Sequence, residues 1–322
     1  MTTKSFVDRH FHHFNASALK HAARGWVSHI ESGGKMLLTL GGAMSTAELG
    51  ISIAELIRRD AVHAICCTGA NLEEDVFNLI AHKHYVRLPD YRNLTACQEA
   101  DLLRRRLNRV TDTCIPEEAA VTLLDGLLLP LWRAAEAEGK VEPPHRFLFD
   151  LVASGALDGV FQIDPRDSWV WEASRRDLPV WTPGWEDSTL GNVFAAHVLN
   201  GTLNGYATVQ TGPSLLASLA DWYRRVSIGS PTGFFQIGGG ISGDFPICIV
   251  PLLRQDLKEK VPLWGYFCQI SEATTSYGSY SGAPPNEKIT WEKLGVDTPR
   301  FIIESDATIC FPLIAQYVLD SI

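Results

Sequence analysis

A stretch near the carboxyl end of the chain combines the residue types needed for covalent amine chemistry. Gly278-Ser-Tyr-Ser-Gly282 offers backbone freedom and free hydroxyls, which suit close approach to a ligand. Two prolines then fix the backbone, and Glu287, Trp291 and Lys293 follow at offsets of four and two residues. An amine beside an indole and a carboxylate can hold a cation and attack a carbon. The competing interpretation is an exposed loop with a solvated lysine, because most lysines lie on the surface.

The geometry of this stretch depends on whether residues 287–293 are helical. In a helix, Glu287 and Trp291 share one face, and Lys293 approaches a shared ligand from the side. A lysine is nucleophilic near neutral pH only if its pKa falls, and desolvation beside Trp291 would lower it.

The same stretch resembles the active-site signature of the deoxyhypusine synthase family, in which the lysine after the tryptophan carries a covalent imine. Four further segments resemble the family in the same order. Cys67–Asp75 is similar to its early NAD segment and Glu186–Gly191 to its Thr-Asp-Gly-Ser-Leu-Gly segment. Ile237–Gly240 and Ser305–Ala307 correspond to two more nucleotide contacts. These matches span most of the chain.

The resemblance implies an NAD-dependent transferase that moves an aminobutyl-type group from spermidine or a related polyamine to an acceptor amine through a Lys293 imine. It also implies a homotetramer whose sites are shared between subunits. The implied substrate contacts are Glu287, Trp291, Asn192 and Tyr280. The implied cofactor contacts are Ser45, Thr68, Gly69, Glu73, Glu74, Asp187, Gly238, Gly239, Gly240, Gly278, Ser279, Asp306 and Ala307.

The chain differs from the family at residues that bind the substrate. Asn192, Tyr277 and Tyr280 stand where the family has acidic residues that bind the amines of spermidine. The general-base histidine expected after the triple glycine is replaced by Asp244, and no histidine follows His197. We therefore expect imine chemistry on a related amine, with Asp244 as a second catalytic residue that transfers the proton.

Three functions are compatible with these residues. The first is the polyamine transferase described above, similar to a homospermidine synthase. The second is a deoxyhypusine synthase acting on a protein lysine, which Asn192, Tyr280 and the absent histidine disfavour. The third is a catalytically inactive NAD-binding protein with a structural or regulatory role, which the retained Lys293 disfavours.

Composition restricts the class of protein further. The 322 residues are 46% hydrophobic, enough for a buried core, and the net charge of −9 disfavours a nucleic-acid partner while suiting cationic substrates. Seven cysteines without CxxC spacing indicate a reducing compartment. The first residues lack the apolar segment of a signal peptide, and no apolar run is long enough to span a membrane. We expect a cytoplasmic protein with no membrane partner.

Alternation of strand and helix patterns predicts an α/β fold: a doubly wound, mainly parallel sheet with helices on both faces, Rossmann-like. We expect one NAD-binding domain over residues 1–322, with residues 1–34 forming an N-terminal helical arm. The helix of that arm should run from Asn15, as its N-cap, to Ser32. The strands expected are 35–40, 62–67, 159–163, 178–181, 206–210, 234–237, 264–270 and 300–304. The later helices expected lie within 115–138, 190–199, 214–226 and 245–255.

Two motifs allow a structural interpretation as well as a functional one. Glu73 and Glu74 can bind ribose hydroxyls at a strand end, or favour the dipole of their own helix as first-turn acids. The histidines at 10, 12 and 13 lack zinc-site spacing, so we expect no metal there and an aromatic arm at a subunit contact instead.

Overall fold

Six parallel strands form the central sheet of the protein, in a computed structural model that describes residues 1–275 and 278–322. The strand order is β6-β2-β1-β7-β8-β9. The strands are β1 Lys35–Leu40, β2 Ala64–Cys67, β3 Val86–Arg87, β4 Leu107–Val110, β5 Thr113–Pro116, β6 Val180–Trp181, β7 Thr232–Ile237, β8 Tyr266–Ile270 and β9 Arg300–Ile303. From β1 the chain adds β2 and then β6 on one side of the sheet, and it then returns to the centre at β7 and adds β8 and β9 on the other side. Ligands of such sheets bind outside the carboxyl ends of the strands where the order reverses, here between β1 and β7.

Helices cover both faces of this sheet, which confirms the predicted doubly wound architecture. Successive strand side chains point to opposite faces. Leu38 and Phe235 therefore join one buried cluster, while Leu37 and Phe234 join the other. The helices are α1 Thr3–His10, α2 Phe14–Glu31, α3 Gly50–Arg58, α4 Gly69–Ala81, α5 Ala96–Arg104, α6 Leu123–Glu138, α7 Pro144–Ala153, α8 Trp169–Arg175, α9 Thr189–Leu199, α10 Ser214–Ser227, α11 Ile241–Ile247, α12 Ile249–Pro251, α13 Glu287–Thr290 and α14 Ala307–Leu319.

The N-terminal segment is helical, as predicted, and it packs on the body of the protein. Asp8 forms an ion pair with Arg24 at 2.8 Å and accepts a hydrogen bond from Tyr317 of α14 at 3.0 Å. The predicted N-cap is wrong. His13 precedes α2, and the Asn15 side chain exchanges hydrogen bonds with the backbone of Glu304 instead.

A second, three-stranded antiparallel sheet of order β3-β5-β4 was not foreseen. The helix expected from Ile115 is wrong at its start, because Ile115 lies in β5 and a π-helical turn over Glu117–Thr122 precedes α6. Apolar spacing does not distinguish a half-buried strand entering a helix from one longer helix.

Two predicted strands are also wrong. Residues 159–163 form turns and irregular structure, and residues 206–210 contribute only a bridge from Val209 to Glu142. Phe161 and Ile163 pack against the core as partly buried side chains without a neighbouring strand to pair with. Alternating apolar residues therefore mark burial here rather than a sheet. None of the helices in the described residues is long and apolar enough to cross a membrane.

Candidate active site at the carboxyl edge of the sheet

Two glutamines in the apolar strands hold the glycine-rich loop over the edge of the sheet. Gln236 of β7 and Gln269 of β8 are register partners and lie on the same face. The Tyr280 hydroxyl donates to Gln236 Oε1 at 2.9 Å, and Gln269 Nε2 donates to the carbonyl of Ser281. The sequence analysis missed this pair, although a glutamine at the same place in Phe-Phe-Gln-Ile and Phe-Cys-Gln-Ile was a visible sign.

The triple glycine after β7 permits this loop to approach closely. A Cβ on Gly239 would lie only 1.7 Å from Ser281 Oγ, and the Gly240 N–H donates to that hydroxyl at 3.2 Å. Gly238 and Gly240 adopt φ of +75° and +77°, a region that favours glycine. A side chain at Gly239 would displace the loop, whereas one at Gly238 or Gly240 would strain the backbone.

Lys293 lies at the wall of a cavity of about 540 Å³ under this loop. Its side chain is buried, with 7% exposure, and its Nζ lies 3.4 Å from Asp244 Oδ1. The same nitrogen is 5.4 Å from the Tyr280 ring centroid and 5.9 Å from that of Trp291. The cavity is lined by Asp244, Cys248, Thr275, Gly278, Ser279, Tyr280, Gly282, Ala283, Pro284, Glu287, Lys288, Trp291 and Lys293.

The short helix α13 positions these side chains. It ends at Thr290, and Glu292 adopts a left-handed φ of +54°, so the helical geometry considered for residues 287–293 does not extend to Lys293. The Lys293 N–H donates back to the carbonyl of Lys288, and this turn directs Lys293 inward. Trp291 is 59% exposed, so burial of the Lys293 amine depends on other residues. Tyr277, one of the departures from the family, lies outside the described residues.

Lys288 is a second lysine in this cavity, and the sequence analysis missed it. It is 3% exposed, and its Nζ donates to the Ala283 carbonyl at 3.2 Å. The rings of Tyr280 and Phe267 lie 4.9 Å and 5.1 Å from that nitrogen. Burial, followed by the charge of Lys293, lowers the pKa of Lys288 to about 8. A lysine beside Glu287 has the pattern of a solvated surface pair, so nothing in the sequence marked it.

Asp244 connects two other polar groups of the cavity. It contacts Lys293, and Cys248 Sγ donates to the same Oδ1 at 3.4 Å. Burial raises the pKa of the Cys248 thiol above its usual value. Cys248 is therefore a neutral neighbour at neutral pH, and Asp244 remains the carboxylate closest to the Lys293 amine.

The sequence profile of the family described as "Deoxyhypusine synthase" matches residues 9–318. The chain belongs to the deoxyhypusine synthase family. It is 25% identical over 289 residues to the "Deoxyhypusine synthase-like protein" of Chlorobaculum parvum, covering 88% of this chain and 75% of that protein. It is also 25% identical over 309 residues to the "Probable deoxyhypusine synthase 2" of Methanosarcina mazei, covering 94% and 82%. The fold matches the crystal structure named "putative deoxyhypusine synthase" from Entamoeba histolytica with a TM-score of 0.59 and 12% identity, over 99% of this chain and 94% of the other.

Three consecutive acids of α4 have separate roles within this deoxyhypusine synthase fold. Glu73 accepts hydrogen bonds from the N–H groups of Thr189 and Leu190 at 2.9 Å and 2.8 Å, so it caps α9. Asp75 accepts from Ser168 and the Val170 N–H and caps α8. Glu74 is buried, its Oε2 has no partner among the described residues, and burial raises its pKa to about 7. The ribose contacts predicted for Glu73 and Glu74 stay predictions, and the Glu73 carboxylate already accepts two backbone N–H groups.

Ser45 and Thr68 use their hydroxyls inside the protein. Ser45 Oγ donates to the Asn71 carbonyl at 2.7 Å and accepts from Trp169 Nε1 at 3.1 Å. Thr68 Oγ1 donates to the Gly42 carbonyl at 2.8 Å and caps α4. Both hydroxyls hold the turns after β1 and β2, and the cofactor contacts predicted for these two residues stay predictions.

Two further cavities extend from the Lys293 cavity along the carboxyl edge of the sheet. One of about 430 Å³ shares Thr275 with it and is also lined by Glu272. Glu272 in turn lines a cavity of about 740 Å³, together with the predicted cofactor residue Asp306. Asp306 also caps α14, which begins at Ala307. The predicted contacts Gly278 and Ser279 lie in the Lys293 cavity itself.

Asn192 and Asp187 lie elsewhere in the chain. They line a cavity of about 440 Å³ beside the start of α9, which shares no lining residue with the Lys293 cavity. Asn192 Nδ2 donates to the Ser188 carbonyl at 2.7 Å. A Cβ on Gly69 would lie 2.5 Å from Ser188 Cβ, so this glycine allows α4 to pack against the same segment. The expected grouping of Asn192 with Tyr280 and Glu287 does not occur within one chain.

The histidine-rich segment forms local contacts. His12 Nε2 lies 2.6 Å from the Arg9 carbonyl, and Phe6 packs against His10 and Phe11. Over the described ranges, no group of three or more His, Cys, Asp or Glu side chains is arranged to hold a metal ion.

Proposed function

We propose that the protein is an NAD-dependent aminoalkyl transferase that moves an aminobutyl-type group from spermidine or a related polyamine to a small acceptor amine, as a homospermidine synthase does. The observation that carries this proposal is the Lys293 amine, buried at a cavity wall and 3.4 Å from the Asp244 carboxylate. Membership of the deoxyhypusine synthase family supports transfer of this kind.

Lys293 acts in this proposal as the nucleophile. Asp244 Oδ1, 3.4 Å from Lys293 Nζ, is placed to accept and return the proton that moves as the Lys293 amine attacks an imine carbon of the donor. The donor's first amine fragment leaves, and the aminoalkyl group stays on Lys293 until a second amine displaces it. The loop that carries Tyr280, held by Gln236, keeps water from the imine.

NAD, when bound, supplies a hydride acceptor and later returns the hydride. We propose that Gly238, Gly239, Gly240, Gly278, Ser279, Glu74, Asp187, Asp306 and Ala307 hold it. The described residues fit such a group in two respects. The cavities follow the carboxyl edge beside the switch point of the sheet. Glu74 also presents a buried carboxylate oxygen without a described partner, which suits a ribose hydroxyl.

We also propose that subunits of a homotetramer complete each other's sites. Asp187 and Asn192 lie apart from Lys293 within one chain, and a symmetric partner can bring such patches together. Residues 1–322 form one domain in this proposal, since one buried cluster includes both Val7 and Val318. All seven cysteines are free thiols, which supports a cytoplasmic location.

A protein lysine is the alternative acceptor, which the names of the relatives favour. The test is a panel of acceptors, including 1,4-diaminobutane and a lysine-containing translation factor, incubated with spermidine and NAD. Product analysis by chromatography and mass spectrometry should show transfer to a small amine. Transfer to the protein lysine alone would establish the alternative, and no release of an amine fragment under any condition would reject a transferase.

A further inference from the structure

Lys288 places a second amine in the Lys293 cavity with few partners of its own. Its Nζ donates a hydrogen bond to the Ala283 carbonyl, and an ammonium carries three N–H donors. Within residues 1–275 and 278–322, no carboxylate forms an ion pair with Lys288, whereas Lys293 has one with Asp244. Two donors of a buried cation are thus available to a ligand.

The free-energy cost of burying Lys288 argues against a purely structural role for this side chain. A buried ammonium without a counter-ion is unfavourable, and an apolar side chain would fill the same space without that penalty. The rings of Tyr280 and Phe267 stabilise the cation in part. A single hydrogen bond to Ala283 does not require a charge.

Among the described charges of the cavity, Lys288 is the cation without a paired carboxylate, because Asp244 pairs with Lys293. Asp244 contacts both Lys293 and Cys248, and Glu287 is exposed at the cavity mouth. A polyamine end placed next to Lys288 would add a cation to a cation. A carboxylate there would accept the free N–H donors and neutralise the charge.

We propose that Lys288 binds the carboxylate of the acceptor, so that the acceptor is an amine bearing a carboxylate across a short alkyl chain. This inference rests on the proposed function and names the substrate class of its second step. The nitrogens of Lys288 and Lys293 lie 4.9 Å and 5.4 Å from one ring centroid, that of Tyr280. They are therefore separated by at most the sum of these distances, which one small ω-amino carboxylate can span.

The transfer step balances with the components already named. The neutral amine of the acceptor adds to the imine carbon on Lys293 and forms a new C–N bond. The bond from that carbon to Lys293 Nζ breaks, and a proton moves to Lys293 through Asp244. The hydride that NAD took from the donor reduces the new imine to a secondary amine, so no further oxidant or reductant is needed.

The test compares two acceptors of equal length, 4-aminobutanoate and 1,4-diaminobutane, with spermidine as donor and NAD present. We expect kcat/KM of the wild-type protein to favour 4-aminobutanoate by about tenfold or more, as for one charge-assisted contact. Lys288→Met should remove this preference, and Lys288→Arg should keep part of it. Lys260→Met, at an exposed lysine, should leave the preference unchanged and serves as the matched control.

Equal or better use of 1,4-diaminobutane by the wild-type protein, or an unchanged preference in Lys288→Met, would overturn the assignment of Lys288 while the transferase stands. If no acceptor gives product, the proposed function fails, and calorimetric titration with 4-aminobutanoate decides on Lys288 alone. Binding that weakens about tenfold in Lys288→Met supports the carboxylate site. Absence of binding to the wild-type protein overturns it.

Discussion

The Lys293 cavity and the Asp187 cavity both derive from segments that resemble the deoxyhypusine synthase family, yet they differ in place and chemistry. The first holds two buried lysines, of which Lys293 contacts Asp244, under a loop fixed by Gln236. The second lies at the start of α9 and is lined by Asp187, Asn192 and Glu117, without a lysine. The difference is compatible with the proposal that each chain supplies two half-sites, one for covalent chemistry and one for binding.

Loss of the Lys293 amine should have the largest effect, because only the first cavity holds the nucleophile. Lys293→Ala should reduce transfer by at least about 10³-fold while NAD binding is retained. Steady-state product formation and calorimetric titration with NAD measure the two properties. Loss of NAD binding together with activity would count against the proposal that the Lys293 amine serves covalent chemistry and not cofactor binding.

Mixing two inactive variants tests whether the cavities meet across subunits. Lys293→Ala and Asp187→Ala should each be inactive alone, and reassembly of an equal mixture should restore about a quarter of wild-type activity, since random pairing leaves that share of sites intact. The measurement is activity after co-refolding or subunit exchange. A mixture as inactive as its components would show that each chain works alone.

Removing the charge of Asp244 should have an intermediate effect. Asp244→Asn keeps the size of the side chain but removes the proton acceptor 3.4 Å from Lys293, so kcat should fall by about 10²-fold. Glu292→Gln is the matched control, because Glu292 is adjacent to Lys293 in the chain but pairs with Arg254 at 3.6 Å. An equal loss of kcat in both variants would show that Asp244 has no specific role in proton transfer.

Lys288 should affect stability rather than the first half of the reaction. Its pKa of about 8 lies below the usual 10.5, so between these values the folded protein has lost a proton that the unfolded chain retains. Stability from this group therefore rises with pH across that window, and the charged form is destabilising at pH 7. Lys288→Met should raise the free energy of unfolding at pH 7 by about 1–3 kcal/mol and abolish the rise. Denaturant unfolding at pH 7 and pH 10 checks this, and a variant less stable than wild type at pH 7 would contradict it.

The central sheet was predictable because buried parallel strands form continuous apolar runs, as in β1 and β7. The small second sheet was not, because Leu-Asn-Arg-Val in β4 is polar and half-exposed. The closeness of Lys293 to Asp244 was predictable from the family resemblance, which places Asp244 where the general-base histidine is expected. The burial of Lys288 was not predictable, because it depends on where α13 packs. No sequence pattern states that Asn192 lies in a different cavity from Tyr280.

The central claim is that Lys293 forms an imine with its substrate. Incubation with spermidine and NAD, reduction with borohydride and peptide mass mapping test it most directly. We predict one aminobutyl group attached to Lys293 and none attached to Lys288. Modification of Lys288 instead, or an unmodified Lys293 under conditions in which spermidine is consumed, would contradict the account.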